Sequence, residues 1–403
     1  MQFAFRTAGQ ILFGRGEALR AAEMAAGLGR CVFLVTGATS LEKSGRLEAL
    51  TDRLSRAAGG YVRFRVSGEP DVTVVDEAAQ AARAAGCDVV VGCGGGSALD
   101  VAKAVASLVT NGGNTLAYLE DVGPSGGQPI RLPSLPTVLM PTTAGTGAEV
   151  TRNAVLRVPE LSVKRSMRSD LLLPRIAAVD PDLMEHAPLS VAAAAGFDAL
   201  THLVEAFVSR AAQPLTDALA VQGIPRALRG LAALADGNAP PATWEDLALV
   251  ALYGGMAVAN AGLGAAHGLV APLGGLLGVP HGLGCAALLP SVMLANVEAL
   301  EHLPAADGRE RQDASRARYR DLAHLVASSG VSELAPSVDN AARTLAELRA
   351  RLGLPSMVQL ALPDARLGEI LAQCRGGSMK ANPVVLPDDT LARILRGGYE
   401  PLA

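Results

Sequence analysis

Residues 88–106 read DVVVGCGGGSALDVAKAVA. The apolar run from Val89 to Val91 is bounded by glycines and reads as a strand buried in a parallel sheet. Gly94, Gly95 and Gly96 follow, then Ser97 with Asp100 three residues on, a pair that reads as the N-cap and acidic third residue of a helix. Strand, glycine turn and helix N-terminus are the parts of a phosphate site. Absent side chains let backbone N–H groups approach an anion, and the helix dipole favours its charge. The stretch departs from the usual dinucleotide fingerprint: Gly92, Gly94 and Ser97 leave its third glycine unfilled, and no acidic residue ends a following strand about 20 positions on. Taken alone, the turn serves equally well as a plain connector.

Working outward, strand-like runs alternate with helical stretches up to about residue 185. Val32 to Val35, a helix near Glu42 to Arg56, and Val62 to Val66 precede the glycine turn. That alternation predicts an α/β domain, a parallel sheet with helices on both faces, over residues 1–185. After Asp180 and Pro181 the pattern changes to long Ala/Leu-rich segments near 191–210, 214–235 and 243–262, so residues 186–403 are expected to form a mostly helical second domain. The apolar run Thr137 to Met140 leads into PTTAGTGAEVTRNAV at residues 141–155, where Thr142, Thr143 and Thr146 are interleaved with Gly145 and Gly147. This is a polar loop after a strand, able to offer hydroxyl and backbone donors to a ligand.

The helical half holds one carboxylate and three imidazoles in a suggestive arrangement. Asp198 and His202 in GFDALTHLVEAF are four apart and share one helix face. His267 and His281 lie fourteen residues apart in AAHGLVAPLGGLLGVPHG, across a Gly/Pro-rich stretch able to fold the chain back on itself. Three of the six histidines fall in this pattern. Oxygen plus imidazole suits Fe²⁺ or Zn²⁺ and argues against a Ca²⁺ or Mg²⁺ cage. An Asp/His pair four apart is also an ordinary buried polar pair or a solvated face. His186, His302 and His324 read as surface or capping residues.

The order GGGSALDVAKA, PTTAGTGAEVT, GFDALTHLVEA, AHGLVAPLGGLLGVPHG resembles the iron-containing, or group III, alcohol dehydrogenase family. The resemblance runs from the GRG at 14–16 to SMKANPVVL at 378–386. It implies an N-terminal NAD(P)-binding domain, a helical metal-binding domain and an alcohol or aldehyde substrate, with a homodimer expected. Gly94, Gly95, Gly96 and Ser97, opening the helix of Asp100, match the pyrophosphate loop. Thr142, Thr143 and Thr146 match threonines on the nucleotide side, and Lys164 in VKRSMRSDLLLP matches the lysine near the nicotinamide. Asp198, His202, His267 and His281 fall on metal-ligand positions. One departure is Ala271, where several members carry a further histidine, so a proton relay through that position is absent. Maleylacetate reductases share the scaffold but depart at the metal ligands, and dehydroquinate synthase relatives differ from PTTAGTGAEVT; both remain alternatives. Arg152, Arg165 and Arg168 are available to a carboxylated substrate.

Cofactor preference turns on the end of the strand at Thr36. An NAD enzyme usually places an acid there for the ribose hydroxyls, where it also repels a 2′-phosphate. Here Gly37 removes the carboxylate while Thr39, Ser40 and Lys43 supply donors and positive charge, which leans the reading toward NADP. In 403 residues, 50% apolar composition is ample for large cores, and a net charge of −4 gives no electrostatic case for nucleic acid. The N-terminus lacks a signal-peptide pattern, and no run of about 18 apolar residues predicts a membrane span. Five cysteines without a CxxC spacing read as free thiols in a reducing cytoplasm.

Overall fold

The computed structural model describes residues 2–57, 59–122, 126–302 and 309–401. By contacts the chain divides into one unit of Arg6–Ala187 and another of Pro188–Ala403 with Met1–Phe5.

The first unit runs β1 (Ile11–Phe13), α1 (Glu17–Ala25), β2 (Val32–Thr36), α2 (Ser40–Lys43), α3 (Arg46–Ala57), β3 (Tyr61–Arg65), α4 (Val72–Ala84), β4 (Val89–Gly94), α5 (Gly96–Asn111), β5 (Thr137–Pro141), β6 (Asn153–Val158), β7 (Val163–Arg168) and β8 (Ile176–Val179). Among the described residues, six of these strands form a parallel sheet in the order β1-β8-β5-β4-β2-β3. Continuous apolar runs are what such a sheet demands, because both faces are covered. Val32, Leu34, Val89, Val91, Val138 and Met140 pack on one face with Ala21, Ala22, Leu50 and Leu54 of α1 and α3. Phe33, Val35, Val90 and Leu139 pack on the other with the apolar sides of α4 and α5. The predicted parallel α/β class is therefore what the chain adopts.

Several boundaries differ from the sequence reading. A short strand, β1, precedes the run from Val32; the helix expected near Glu42 to Arg56 is split between α2 and α3 at Gly45, whose φ is +70°. Ser97 is not an N-cap. Gly95 holds the extended backbone that precedes α5, with no side-chain cap, so Ser97 already lies inside the helix. Asp100 instead accepts from the Val155 N–H at 3.0 Å and pairs with Lys103 at 3.0 Å. The Lys103 ammonium, fully buried, also donates to Thr151 Oγ1 at 3.0 Å and to the Asn153 carbonyl, tying α5 to the threonine loop. Lastly β6 and β7 form a separate antiparallel hairpin, not part of the parallel sheet.

The second unit contains α6 (Leu189–Val208), α7 (Pro214–Ala235), α8 (Pro241–Ala261), α9 (Ala265–Leu277), α10 (His281–His302), α11 (Arg309–Ala327), α12 (Val338–Arg351), α13 (Met357–Leu360), α14 (Leu367–Cys374) and α15 (Asp388–Leu395). Contrary to the expectation from apolar run length, α6 and α10 are long and apolar enough by composition to cross a membrane. The bent pair α8 and α9 passes the same test if taken as one span. Those windows of α6 and α10 are 83% and 72% buried within the protein, so their apolar surface is already covered by neighbouring helices. The Gly/Pro-rich stretch after His267 does fold the chain back, as helix: it continues as α9, Pro272 included, and only residues 278–280 separate it from α10.

Candidate functional site

Three strand ends meet in the first unit. The chain leaves β2 toward β3 on one side, whereas β4 lies on the other side of β2 and continues through α5 to β5. The carboxyl ends of β2 and β4 are thus a topological switch point, where open α/β sheets bind ligands. Gly37 follows β2, Gly94 ends β4, and the threonine loop follows β5. A Cβ on Gly94 would stand 2.7 Å from Ala98 Cβ and 3.0 Å from the Gly37 nitrogen, so only glycine permits this approach. The Thr142 N–H donates to the Gly94 carbonyl at 2.9 Å. A Cβ on Gly95 would lie 3.7 Å from Thr143 Oγ1, and one on Gly96 would lie 2.9 Å from Thr146 Oγ1. Gly37, Gly94 to Ser97, Thr143 and Thr146 are brought together, with Ser40 at the start of α2 beside Gly37; Thr142 is buried beneath them. The uncapped N-terminus of α5 leaves first-turn N–H groups for an anion. Lys164 on β7 pairs with Glu69 at 2.8 Å and is largely buried.

One member of the threonine loop is unusual. Glu149 is buried with both carboxylate oxygens unpartnered, and burial pushes its carboxyl from 4.5 up to about 7, against the pull of its own backbone N–H and of the Lys103 charge. A carboxyl raised in the folded state favours folding fully below its unfolded value, and that contribution is lost as pH rises through about 7. At about 1.4 kcal/mol per unit, the loss is on the order of 3 kcal/mol. Glu149→Gln is therefore expected to flatten the decline in stability between about pH 5 and 8. Urea midpoints at both pH values check this, and parallel curves for parent and variant would reject it.

In the second unit, α6 carries Asp198, His202 and Glu205 along one buried stripe. Its neighbours approach closely because they are small where they cross. A Cβ on Gly254 of α8 would meet the Ala199 carbonyl at 3.2 Å, and one on Gly282 of α10 would meet the Ala194 carbonyl at 2.4 Å. The bend of 102° between α8 and α9, with Gly262 at φ +69°, brings the head of α9 back toward α6. There the Glu205 carboxylate accepts from the Ala266 N–H at 2.7 Å, and Asn382 Oδ1 from the Ala265 N–H at 3.0 Å. An acidic side chain at a helix N-terminus is favourable for the dipole as well as for the orphan donors.

The result is a convergence on Asp198 Oδ1. His267 Nε2 and His281 Nε2 lie 3.3 Å from it, His202 Nε2 3.5 Å, and Cys285 Sγ 3.4 Å. Burial works to raise the Asp198 carboxyl, but the surrounding imidazoles outweigh it and hold it well below the usual carboxylate range. Burial drives His202 down to about 4, leaving a neutral imidazole whose Nδ1 is buried without a hydrogen-bond partner. His267 is held well above its ordinary value despite burial, by Cys285, Glu205 and Asp198. The His267 Nδ1–H donates to Glu205 Oε2 at 2.7 Å, which fixes the ring with Nε2 facing Asp198 Oδ1. Crowded ligand-type atoms of this kind suit a divalent cation, which displaces the imidazole protons on binding. His281, with a side chain 38% exposed, is the member solvent reaches.

All four residues singled out in the sequence are brought together here. Cys285 and Glu205 are additional. Cys285 stands four residues after His281 and Glu205 seven after Asp198, so helical spacing was the signal for each. Of the other histidines, His302 faces the Glu298 carbonyl at 2.7 Å in the last turn of α10. His186 is exposed near Glu185, and His324 lies on the surface of α11.

A nucleotide-type parallel sheet followed by a helical unit with a buried carboxylate–imidazole cluster defines the class of metal-dependent, nicotinamide-linked dehydrogenases. The chain belongs to the iron-containing alcohol dehydrogenase family: residues 8–181 match that family, and residues 192–374 match the Fe-containing alcohol dehydrogenase C-terminal domain. Alcohol dehydrogenase 4 of Schizosaccharomyces pombe is 33% identical over 88% of this chain and 78% of its own length. Lactaldehyde reductase of Escherichia coli is 32% identical over 91% of this chain and 92% of its own. A crystal structure of 1,3-propanediol oxidoreductase superimposes with a TM-score of 0.86 at 30% identity, covering 99% of this chain and 100% of that one. The protein is an oxidoreductase acting on CH–OH groups, with the divalent-metal site and nicotinamide dinucleotide typical of the family.

Proposed function

We propose that this protein interconverts a short-chain aldehyde and its alcohol, with NADP(H) preferred over NAD(H), and that Asp198, His202, His267 and His281 hold the metal. The convergence of four donors on one buried point carries this reading. The names of the relatives, lactaldehyde reductase and 1,3-propanediol oxidoreductase, favour a small hydroxylated substrate. A divalent cation bound there supplies a Lewis acid for the substrate oxygen, whether it is Fe²⁺ or Zn²⁺.

The side chains divide the remaining work. Glu205 fixes the ring of His267, and the partly exposed His281 marks the open side of the cluster. Gly94, Gly95, Gly96 and Ser97 would offer the head of α5 to the pyrophosphate, with Thr143 and Thr146 beside them, and Lys164, paired with Glu69, would serve the nicotinamide side. The nicotinamide, when bound, would supply the hydride acceptor or donor for the carbinol carbon. On α9 the residue one turn after His267 is Ala271, so the hydroxyl proton leaves through water or another group. A cytoplasmic homodimer acting without nucleic acid or membrane completes the proposal. Screening short aldehydes for oxidation of NADPH and NADH, with and without added Fe²⁺ or Zn²⁺, tests it; no turnover by metal-loaded protein with any of them would reject it.

The cofactor preference has its own test. A Cβ at Gly37 would meet only Ser40 Oγ, at 3.8 Å, so a side chain fits there. Gly37→Asp is expected to weaken NADP(H) use at least tenfold relative to NAD(H), about 1.4 kcal/mol and an ordinary size for one charge beside a phosphate. The ratio of kcat/KM for the two cofactors reads it out, and an unchanged ratio would place the preference elsewhere.

A further inference from the structure

Cys285 lies one turn after His281 on α10 and is fully buried. Its Sγ is 3.4 Å from Asp198 Oδ1 and 3.7 Å from His267 Nε2. Among the described residues, the ligand atoms of Asp198, His267, His281 and Cys285 all fall within 4.8 Å of one another, and His202 is not in that set. Four of the six edges of this set can be set beside those of a coordination polyhedron. Oxygen and nitrogen at about 2.0 Å and sulfur at about 2.3 Å from a tetrahedral zinc ion give edges of about 3.3 Å between N and O and about 3.5 Å to sulfur. The measured N···O edges are both 3.3 Å, and the edges to sulfur are 3.4 and 3.7 Å.

We propose that Cys285 is a metal ligand in this chain, bound as a thiolate, and that it shifts the site's preference from iron toward zinc. The proposal rests on the metal-centre reading above and deepens it. Binding breaks the S–H bond and forms a sulfur–metal bond; the proton leaves to solvent and no electron is transferred. Carboxylate and thiolate together carry two negative charges to offset a divalent ion, with the Glu205 carboxylate behind the ring of His267. A thiolate is the soft donor that selects zinc where carboxylate and imidazole alone accept either metal. His202, 3.5 Å from Asp198 Oδ1, then stands as a fifth donor beside the set.

Cobalt(II) decides the matter without reference to turnover, because a thiolate on cobalt gives an intense near-ultraviolet charge-transfer band that oxygen and nitrogen ligands do not. Metal-free full-length protein loaded with Co²⁺ is expected to bind about one ion per chain and to show the band. Cys285→Ser should bind Co²⁺ and lack the band, Cys31→Ser and Cys87→Ser should keep it, and zinc-over-iron preference should fall at least tenfold in Cys285→Ser. The parent spectrum decides even if Cys285→Ser fails to fold. Stoichiometric Co²⁺ without the band, or a band that survives in Cys285→Ser, overturns the thiolate while leaving the metal centre intact. Failure to bind Co²⁺ overturns both.

Discussion

Asp198→Ala is expected to lose bound metal and dehydrogenase activity together, with kcat/KM falling by roughly 10²-fold or more, on the order of 3 kcal/mol of transition-state stabilisation. The size follows from position: Asp198 Oδ1 is the atom that all the other donors share, at 3.3 to 3.5 Å. Without it three imidazoles and Cys285 face one another, and the one carboxylate that touches them all is gone. Dinucleotide binding should survive, because the glycine turn belongs to the other unit. Elemental analysis, dinucleotide affinity and melting temperature measured on one preparation test this. Full metal occupancy with near-parental activity would show that Asp198 only supports packing.

Gly94→Ala is expected to damage the nucleotide side while leaving metal content unchanged. The added methyl would lie 2.7 Å from Ala98 Cβ and 3.0 Å from the Gly37 nitrogen, one of them backbone that cannot rotate away. Relief requires β4, the first turn of α5 or the loop after β2 to move, at a cost of about 1 to 3 kcal/mol. Displacing the helix head from the pyrophosphate should weaken dinucleotide binding tenfold or more, about 1.4 kcal/mol per decade. Calorimetric titration with NADPH and NADH reads the effect, and a lower melting temperature with unaltered affinity would confine Gly94 to packing.

What the sequence made legible tracks how local each signal is. β2, β4 and β5 are unbroken apolar runs and were visible as such, whereas β1 has three residues and β8 reads IAAV, too short and too alanine-rich to stand out from helix. The hairpin of β6 and β7 was hidden differently. Its buried and exposed residues alternate along NAVLRV, but the preceding threonine loop drew the stretch into a ligand-site reading. Ser97 was misplaced because serine is so good an N-cap, while Gly95 and Gly96 start the helix earlier without one. Cys285 is the free thiol that the lack of a CxxC spacing predicts, and its i, i+4 spacing from His281 is what places it beside the histidines. Asn382 is more than a hundred residues from the amide it caps, and no local pattern announces such a contact.

Glu205 gives one carboxylate two attachments, an oxygen on the Ala266 amide and an oxygen on the imidazole of His267. The start of α9 and the orientation of a metal-facing ring are therefore not separable degrees of freedom. By the reciprocity of linked equilibria, whatever free energy an ordered α9 lends to ion capture, a captured ion returns to the order of α9. The centre is then better regarded as a fastening in the helical unit than as a cargo site within it. Selection for tighter ion retention and selection for a more persistent helical core would act on the same carboxylate.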